Sequence, residues 1–158
     1  MERVRRVLVA TALSDTAPVL LAQAVGLAER WRAELVVVHV FDPEEYERLL
    51  GDTGMPVDEY VDHLRAEMRD ALAEAGIGDT DVSVRLEVIE DRDVAGAIVS
   101  AANRLGADLV VVGARPRRGL PALRPGVADA VLRRAGRPVL VVPHTSLRVG
   151  PQVLAAAS

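Results

Sequence analysis

Residues 107–143, ADLVVVGARPRRGLPALRPGVADAVLRRAGRPVLVVP, read as strand, glycine-framed loop, helix and strand. LVVVG at 109–113 is a short β-branched run without polar alternation, the pattern of a parallel strand buried on both faces. Gly113 ends it. The loop beyond carries Arg115, Arg117, Arg118 and Arg124, and Gly126 opens a helical stretch. Backbone N–H groups and positive side chains would there converge on one anion. A solvated surface loop, in a chain that uses arginine for every basic residue, is the alternative reading. A second apolar run at 138–142 closes the unit.

The same grammar extends outward. Residues 4–10 read as a first strand, and the turn 11–16 (TALSDT) offers Ser14 and Asp15 as helix caps. Leu20, Leu21, Ala24, Leu27, Ala28 and Trp31 then recur at helical spacing, and 34–40 is a second strand, which implies a right-handed parallel crossover. The stretch 41–56 holds Pro43, Gly51, Gly54 and Pro56 among acidic residues and reads as a long, mobile connection. Val57, Tyr60, Val61, Leu64, Met68, Ala71, Leu72 and Ala75 mark a second amphipathic helix that stops at Gly76 and Gly78. Val82, Val84, Leu86 and Val88 alternate with polar residues, a third strand at a sheet edge with one solvated face. A third helix spans 94–105, capped by Asp91 or Asp93 and ended by Gly106, and a fourth spans 127–134. These elements predict an α/β fold: a three-layer α/β/α sandwich around a five-stranded parallel sheet of order 3-2-1-4-5, with two helices on each face. Residues 1–143 form that domain. The tail, 144–158, is too apolar for a comfortable free tail and too short for a layer, and is expected to cross a dimer interface or to fray.

Length and composition bound the rest. A chain of 158 residues suits one domain, and with only four aromatic residues its core must be built from Val, Leu and Ala. A net charge of -4 and a pI near 5.4 give no attraction to phosphate backbones, so nucleic acid is not an expected partner. The absence of cysteine excludes disulfides, thiol nucleophiles and cysteine metal sites. All 19 basic residues are arginine, which excludes a P-loop lysine, a Schiff base and a lysine general base. No apolar run has the length of a membrane span or the form of a signal peptide, and a cytoplasmic location is expected.

Few side chains invite chemistry. His39, near the end of a buried strand, reads as a hydrogen-bonded core histidine, and His63 and His144 share no metal-ligand spacing with it, so no metal site is assigned. Glu90, Asp91 and Asp93 read as a turn with capping carboxylates, the alternative being a Mg²⁺ site beside a nucleotide. Ser14 lacks a nucleophile-elbow pattern and reads as a cap. Trp31 and Met68, at helical spacing, read as core. No catalytic residue is assigned and the chain is not expected to be an enzyme; a residual ATPase is the only enzymatic version consistent with these residues.

Several pieces in order resemble the universal stress protein family across residues 4–143: VLVAT with Ser14, LVVVHV, ADLVVVG and RPVLVVP. The resemblance implies an adenine nucleotide alpha hydrolase-like, Rossmann-like fold. It also implies a homodimer joined through the last strand, an unidentified protein partner and no membrane. In the family's ATP-binding members the loop motif is glycine, two residues, glycine, nine residues, glycine, then Ser or Thr. Its spacing falls here on Gly113, Pro116, Gly126 and Val127. The implied nucleotide pocket, in altered form, comprises Thr11, Ala12, Val40, Gly113, Arg115, Pro116, Arg117, Gly126 and Val127. Pro116 removes a donor and fixes φ where the family has glycine, and Val127 lacks the hydroxyl offered to phosphate. Ala12 stands where an acidic residue contacts the nucleoside, and Arg92, in place of a glycine, is expected to fill ligand space. Each lost hydrogen bond costs on the order of 1–3 kcal/mol, so three would move a micromolar site out of reach. The expected function is a non-enzymatic stress-response protein with a degenerate pocket and no assigned cofactor. The alternative is a switch that binds ATP with Mg²⁺, or another adenine nucleotide, through arginines that replace the lost contacts.

Overall fold

Five apolar runs form the five strands β1 (Arg6–Ala10), β2 (Glu34–Phe41), β3 (Val84–Glu90), β4 (Leu109–Gly113) and β5 (Val139–Val142). The computed structural model describes residues 3–114 and 126–143. All pairings are parallel and the order is β3-β2-β1-β4-β5, as the sequence predicts. β1 lies at the centre, in register with β2 from Arg6↔Glu34 to Ala10↔Val38 and with β4 from Val7↔Leu109 to Ala10↔Val112.

Alternate residues of each strand feed two separate cores. Val7, Val9, Leu35 and Val37 pack against α1 (Ala17–Trp31) and α3 (Val57–Glu74), including Met68. Leu8, Val36, Val38, Val110 and Val112 pack against α4 (Val94–Leu105) and α5 (Val127–Arg134). The helices meet branched strand residues with small ones, Ala24 and Ala28 on one face and Ala95, Ala101 and Ala102 on the other. Small helix residues let the layers approach closely, which replaces the missing aromatic volume.

α4 is fastened at both ends. The Asp93 carboxylate caps it, accepting from Gly96 N at 3.0 Å, and pairs with both terminal nitrogens of Arg134 at 3.1 and 3.0 Å, which ties α4 to the last turn of α5. At the other end Gly106 takes φ 64° to close the helix. Arg137 donates to Ala102 O at 3.1 Å, to Asn103 Oδ1 at 2.6 Å and to Ala107 O, while Arg6 donates to Leu105 O. Two guanidinium groups thus occupy the negative end of the helix dipole and satisfy its last carbonyls.

Three local expectations are corrected. The stretch read as a long connection contains a helix, α2 (Pro43–Leu50), and a 3-10 turn at Gly51–Thr53. Asp42 caps α2 by accepting from Glu44 N at 2.8 Å, Pro43 opens it, and Tyr46 packs against Phe41 and Tyr60, so the described residues hold five α-helices rather than two per face. Neither Ser14 nor Asp15 caps α1 with its side chain. There the backbone closes the turn, with Ala17 N on Ser14 O at 3.0 Å, and Ser14 Oγ pairs with Thr16 Oγ1 at 2.8 Å. β3 is the edge strand expected, but it begins two residues later, and neither of its faces is simply solvated. Leu86 and Val88 pack on the α1–α3 core, Ile89 packs on the other, and Glu87 pairs with Arg104 of α4 at 2.6 Å.

Two glycine substitutions test this packing with opposite signs. Gly26 sits inside α1 with open space where a Cβ would stand, so Gly26→Ala is expected to stabilise by about 1 kcal/mol, read as a rise in melting temperature. A Cβ at Gly96 would collide with the Asp93 carboxylate and reach Arg134 Nη2, so Gly96→Ala is expected to melt below the parent despite its better helix propensity.

Candidate functional site

β1 and β4 are neighbours whose following helices lie on opposite faces of the sheet, since β1 leads to α1 and β4 to α5. Such a topological switch point opens a crevice at the carboxyl ends of the strands. The expected pocket residues that lie among the described residues gather along its rim. Thr11 and Ala12 follow β1, Val40 is next to last in β2, Gly113 ends β4, and Gly126 and Val127 head α5. Arg115, Pro116 and Arg117, with Arg118 and Arg124, lie outside the described residues, as do His144 and the tail.

The best-defined part of the rim is the β1–α1 turn. Thr11 donates its backbone N–H to Val38 O at 3.0 Å, and its Oγ1 accepts from Leu13 N at 3.0 Å. Its carbonyl receives His39 Nδ1 at 2.8 Å. Leu13 adopts φ 57°, a conformation rare for residues with side chains, and is held by packing against both the α1–α3 core and the Phe41–Tyr46–Leu64 cluster. Ala12, between them, is exposed. Among the described residues Thr11 and His39 are the two buried polar residues, and the His39 ring bonds the Thr11 backbone carbonyl.

The rest of the rim is apolar or backbone. Val40 is half-buried on the α4 side. Gly113 pairs with Val142 of β5. Gly126 caps α5 with φ -64° and ψ 165°, a backbone any residue adopts, and makes no side-chain hydrogen bond. Val127 is 45% exposed at the first position of α5. Arg92 does not fill the crevice as expected: it is 73% exposed and its Nη2 lies 3.2 Å from Glu44 Oε1 at the start of α2, drawn there by charge.

The acidic residues before α4 serve the turn. Asp91 Oδ1 accepts from Asp93 N at 2.9 Å, and Asp93 is committed to Gly96 N and Arg134, whose guanidinium holds its carboxyl below the usual carboxylate range. His63 is exposed on α3, and Met68 is fully buried. Trp31 is half-buried against the α1–α3 core.

Two features escape sequence reading. Phe41, Tyr46 and Tyr60 form an aromatic cluster with ring centroids 5.1 to 6.5 Å apart, and burial, with Glu45 and Glu67 nearby, pushes the Tyr60 hydroxyl up. An acidic cleft of about 330 Å³ lies between Leu13, Ser14 and Asp15 and the α3 residues Glu67, Asp70 and Glu74. The spacing of those three acids on one helix face is the signal that points to it.

A model of the universal stress protein family matches residues 3–143. The chain belongs to that family. A universal stress protein structure from Burkholderia pseudomallei is 31% identical, with 90% of this chain and 98% of that one covered and a TM-score of 0.63. Two others share the fold: a universal stress protein in complex with cAMP (22% identity, 90% and 98% covered, TM-score 0.68) and one from Archaeoglobus fulgidus in complex with dAMP (18%, 89% and 99%, 0.62). No functionally curated protein matches the sequence significantly. Along the described rim Ala12 offers no carboxylate and Val127 no hydroxyl. Among the described residues no helix is long and apolar enough to cross a membrane.

His39 gives this universal stress protein a defined acid response. Burial depresses its pKa below 6.5, against the opposing pull of the Thr11 carbonyl, Glu67 and Glu45. The unfolded chain therefore takes up a proton near pH 6.5 that the native state refuses, so stability is full above that pH and is lost as pH falls toward the lower native pKa. Denaturant titrations between about pH 7.5 and 5 are expected to show this loss in the parent and a flatter profile in His39→Asn, which keeps a donor but cannot titrate.

Proposed function

We propose that this chain is a non-enzymatic, regulatory universal stress protein that has kept the family's crevice while losing the groups that hold ATP. The observation that carries this reading is the rim itself. An exposed methyl at Ala12 and a 45% exposed isopropyl at Val127 stand where the family's carboxylate and hydroxyl are expected. Regulation then runs through surfaces and partners rather than turnover, in a cytoplasmic setting with which the cysteine-free composition agrees.

A second reading, an adenine-nucleotide switch, is favoured by one feature. Arg92 is paired with Glu44, and the structural relatives in complex with cAMP and dAMP make an adenine nucleotide the natural occupant. The sequence places four arginines in the intervening loop, where they would supply phosphate contacts.

Self-association is part of the same proposal. β5 is at the sheet edge, and Leu140 (39%), Leu132 (52%) and Val127 (45%) leave apolar surface exposed around it. An apolar edge strand favours pairing with a second copy, and the tail would add to that contact.

Calorimetric titration of nucleotide-free protein with ATP and Mg²⁺ separates the two readings. The parent is expected to give no signal up to millimolar ATP, and Ala12→Asp with Pro116→Gly and Val127→Ser to bring affinity into the micromolar range. Micromolar binding by the parent would establish the switch instead. Leu140→Arg is expected to convert a dimer to a monomer in sedimentation velocity; a parent that is already monomeric overturns the pairing.

A further inference from the structure

We propose that the free edge of β3, together with a row of charges along α3 beside it, is a self-complementary surface on which a second copy of this chain docks antiparallel. The surface lies at the opposite edge of the sheet from β5, so it adds to the pairing proposed there and does not depend on it. Among the described residues β3 has a strand partner on one side only, β2. Leu35 N donates to Ser83 O at 2.9 Å and Asp91 N to Phe41 O at 3.0 Å, so the odd-numbered residues of this stretch turn their backbone groups toward β2. Val84, Leu86, Val88 and Glu90 therefore turn theirs to the free edge, where they can pair with another strand.

The row on α3 decides which partner fits. Leu64, Met68, Ala71 and Leu72 are the buried stripe of this helix, and Glu67, Asp70 and Glu74 flank it on the side of the α1 turn. Asp58, Asp62, Arg65 and Arg69, each three or four residues from the next, form the opposite flank, toward the β3 edge. Glu87 of β3, held below the usual carboxylate range first by Arg104, also feels the charge of Arg65, which places that guanidinium by the strand. Asp58, Asp62 and Arg69 are exposed and Arg65 is half-buried. None of the four forms an ion pair or a hydrogen bond with another described residue.

Within one chain this order is unfavourable, because Asp58 and Asp62 are like charges four apart on a helix, and so are Arg65 and Arg69. A two-fold axis resolves it. It brings the acidic half of one row against the basic half of the other, Asp58 to Arg69 and Asp62 to Arg65 across the junction. The centre of the row lies beside Leu64, which packs in one cluster with Val88, so the axis that serves the helices passes near Val88. The same axis suits the strands. It sets Val88 opposite its own copy and Leu86 opposite Glu90 as hydrogen-bonded pairs, and it sets Arg85 opposite Asp91, a pair of opposite charge. An axis at Glu87 would place that carboxylate opposite itself, and one at Leu86 would bring the arginines of the two rows together.

The contact consists of exposed charge pairs and one short edge, so it is weak and fills only at high protein concentration. The test is made on the full chain carrying Leu140→Arg, so its outcome is independent of whether β5 pairs. Sedimentation is followed from about 10 μM to about 500 μM, the range over which a weak contact fills. This variant, monomeric in dilute solution, is expected to become dimeric toward the upper end and to dissociate again in high salt. Adding Arg69→Asp is expected to weaken the association by about tenfold or more, and exchanging the charges, Asp58→Arg with Arg69→Asp, to restore it. The Leu86 and Val88 amides are expected to exchange with solvent more slowly as the dimer forms. A chain still monomeric at the highest concentration overturns the proposal. So does a charge exchange that fails to restore what Arg69→Asp loses, and so do Leu86 and Val88 amides that exchange equally fast in monomer and dimer.

Discussion

β1 must be dry on both faces and paired on both edges, and most of the molecule follows from that. Val7, Leu8 and Val9 have no solvent exposure, so each face of the sheet needs its own layer of helices. With four aromatic residues in the chain, neither layer can be filled by bulk. Valine in the strands and alanine in the helices solve this by close approach, which gives many dispersion contacts per residue at little side-chain entropy cost. The cost is tolerance: a wall of alanines leaves no slack for larger side chains.

Charge then fixes the helices that small residues alone would let slide. The ends of α4 are held by groups distant in sequence, Arg134 through Asp93 at one end and Arg6 and Arg137 at the other. Exposed pairs of this kind contribute modestly to stability, but a guanidinium spread over helix carbonyls has direction, and direction sets where a helix begins. Asp93, before α4, is committed to this work. The same physics draws Arg92 to Glu44 at the start of α2.

The crevice shows how a scaffold and its chemistry can part. The switch point between β1 and β4 is a consequence of strand order and persists whatever side chains line it. Chemistry depends on single residues at its rim, and here alkyl groups occupy two of those positions. What remains is a turn gripped from β2, through Val38 O on Thr11 N and through the His39 ring on the Thr11 carbonyl.

Amino-acid order alone determined the strand order and the spans of α4 and α5, because buried parallel strands and amphipathic helices write their periods into the chain. It also marked the rim positions, since the interval from Gly113 to Gly126 is a property of the chain itself. Tertiary structure decided the rest. α2 lay hidden under Pro43, Gly51, Gly54 and Pro56, although Asp42 and Pro43 are sound start signals, because an eight-residue helix is stable only once Tyr46 rests on Phe41 and Tyr60. The side chains of Ser14 and Asp15 gave way as caps to the backbone of the turn, Arg92 turned to α2, and His39 found Thr11 across 28 residues. Periodicity is local and survives in a sequence; a hydrogen bond between distant segments depends on three-dimensional register and exists only after the sheet has formed.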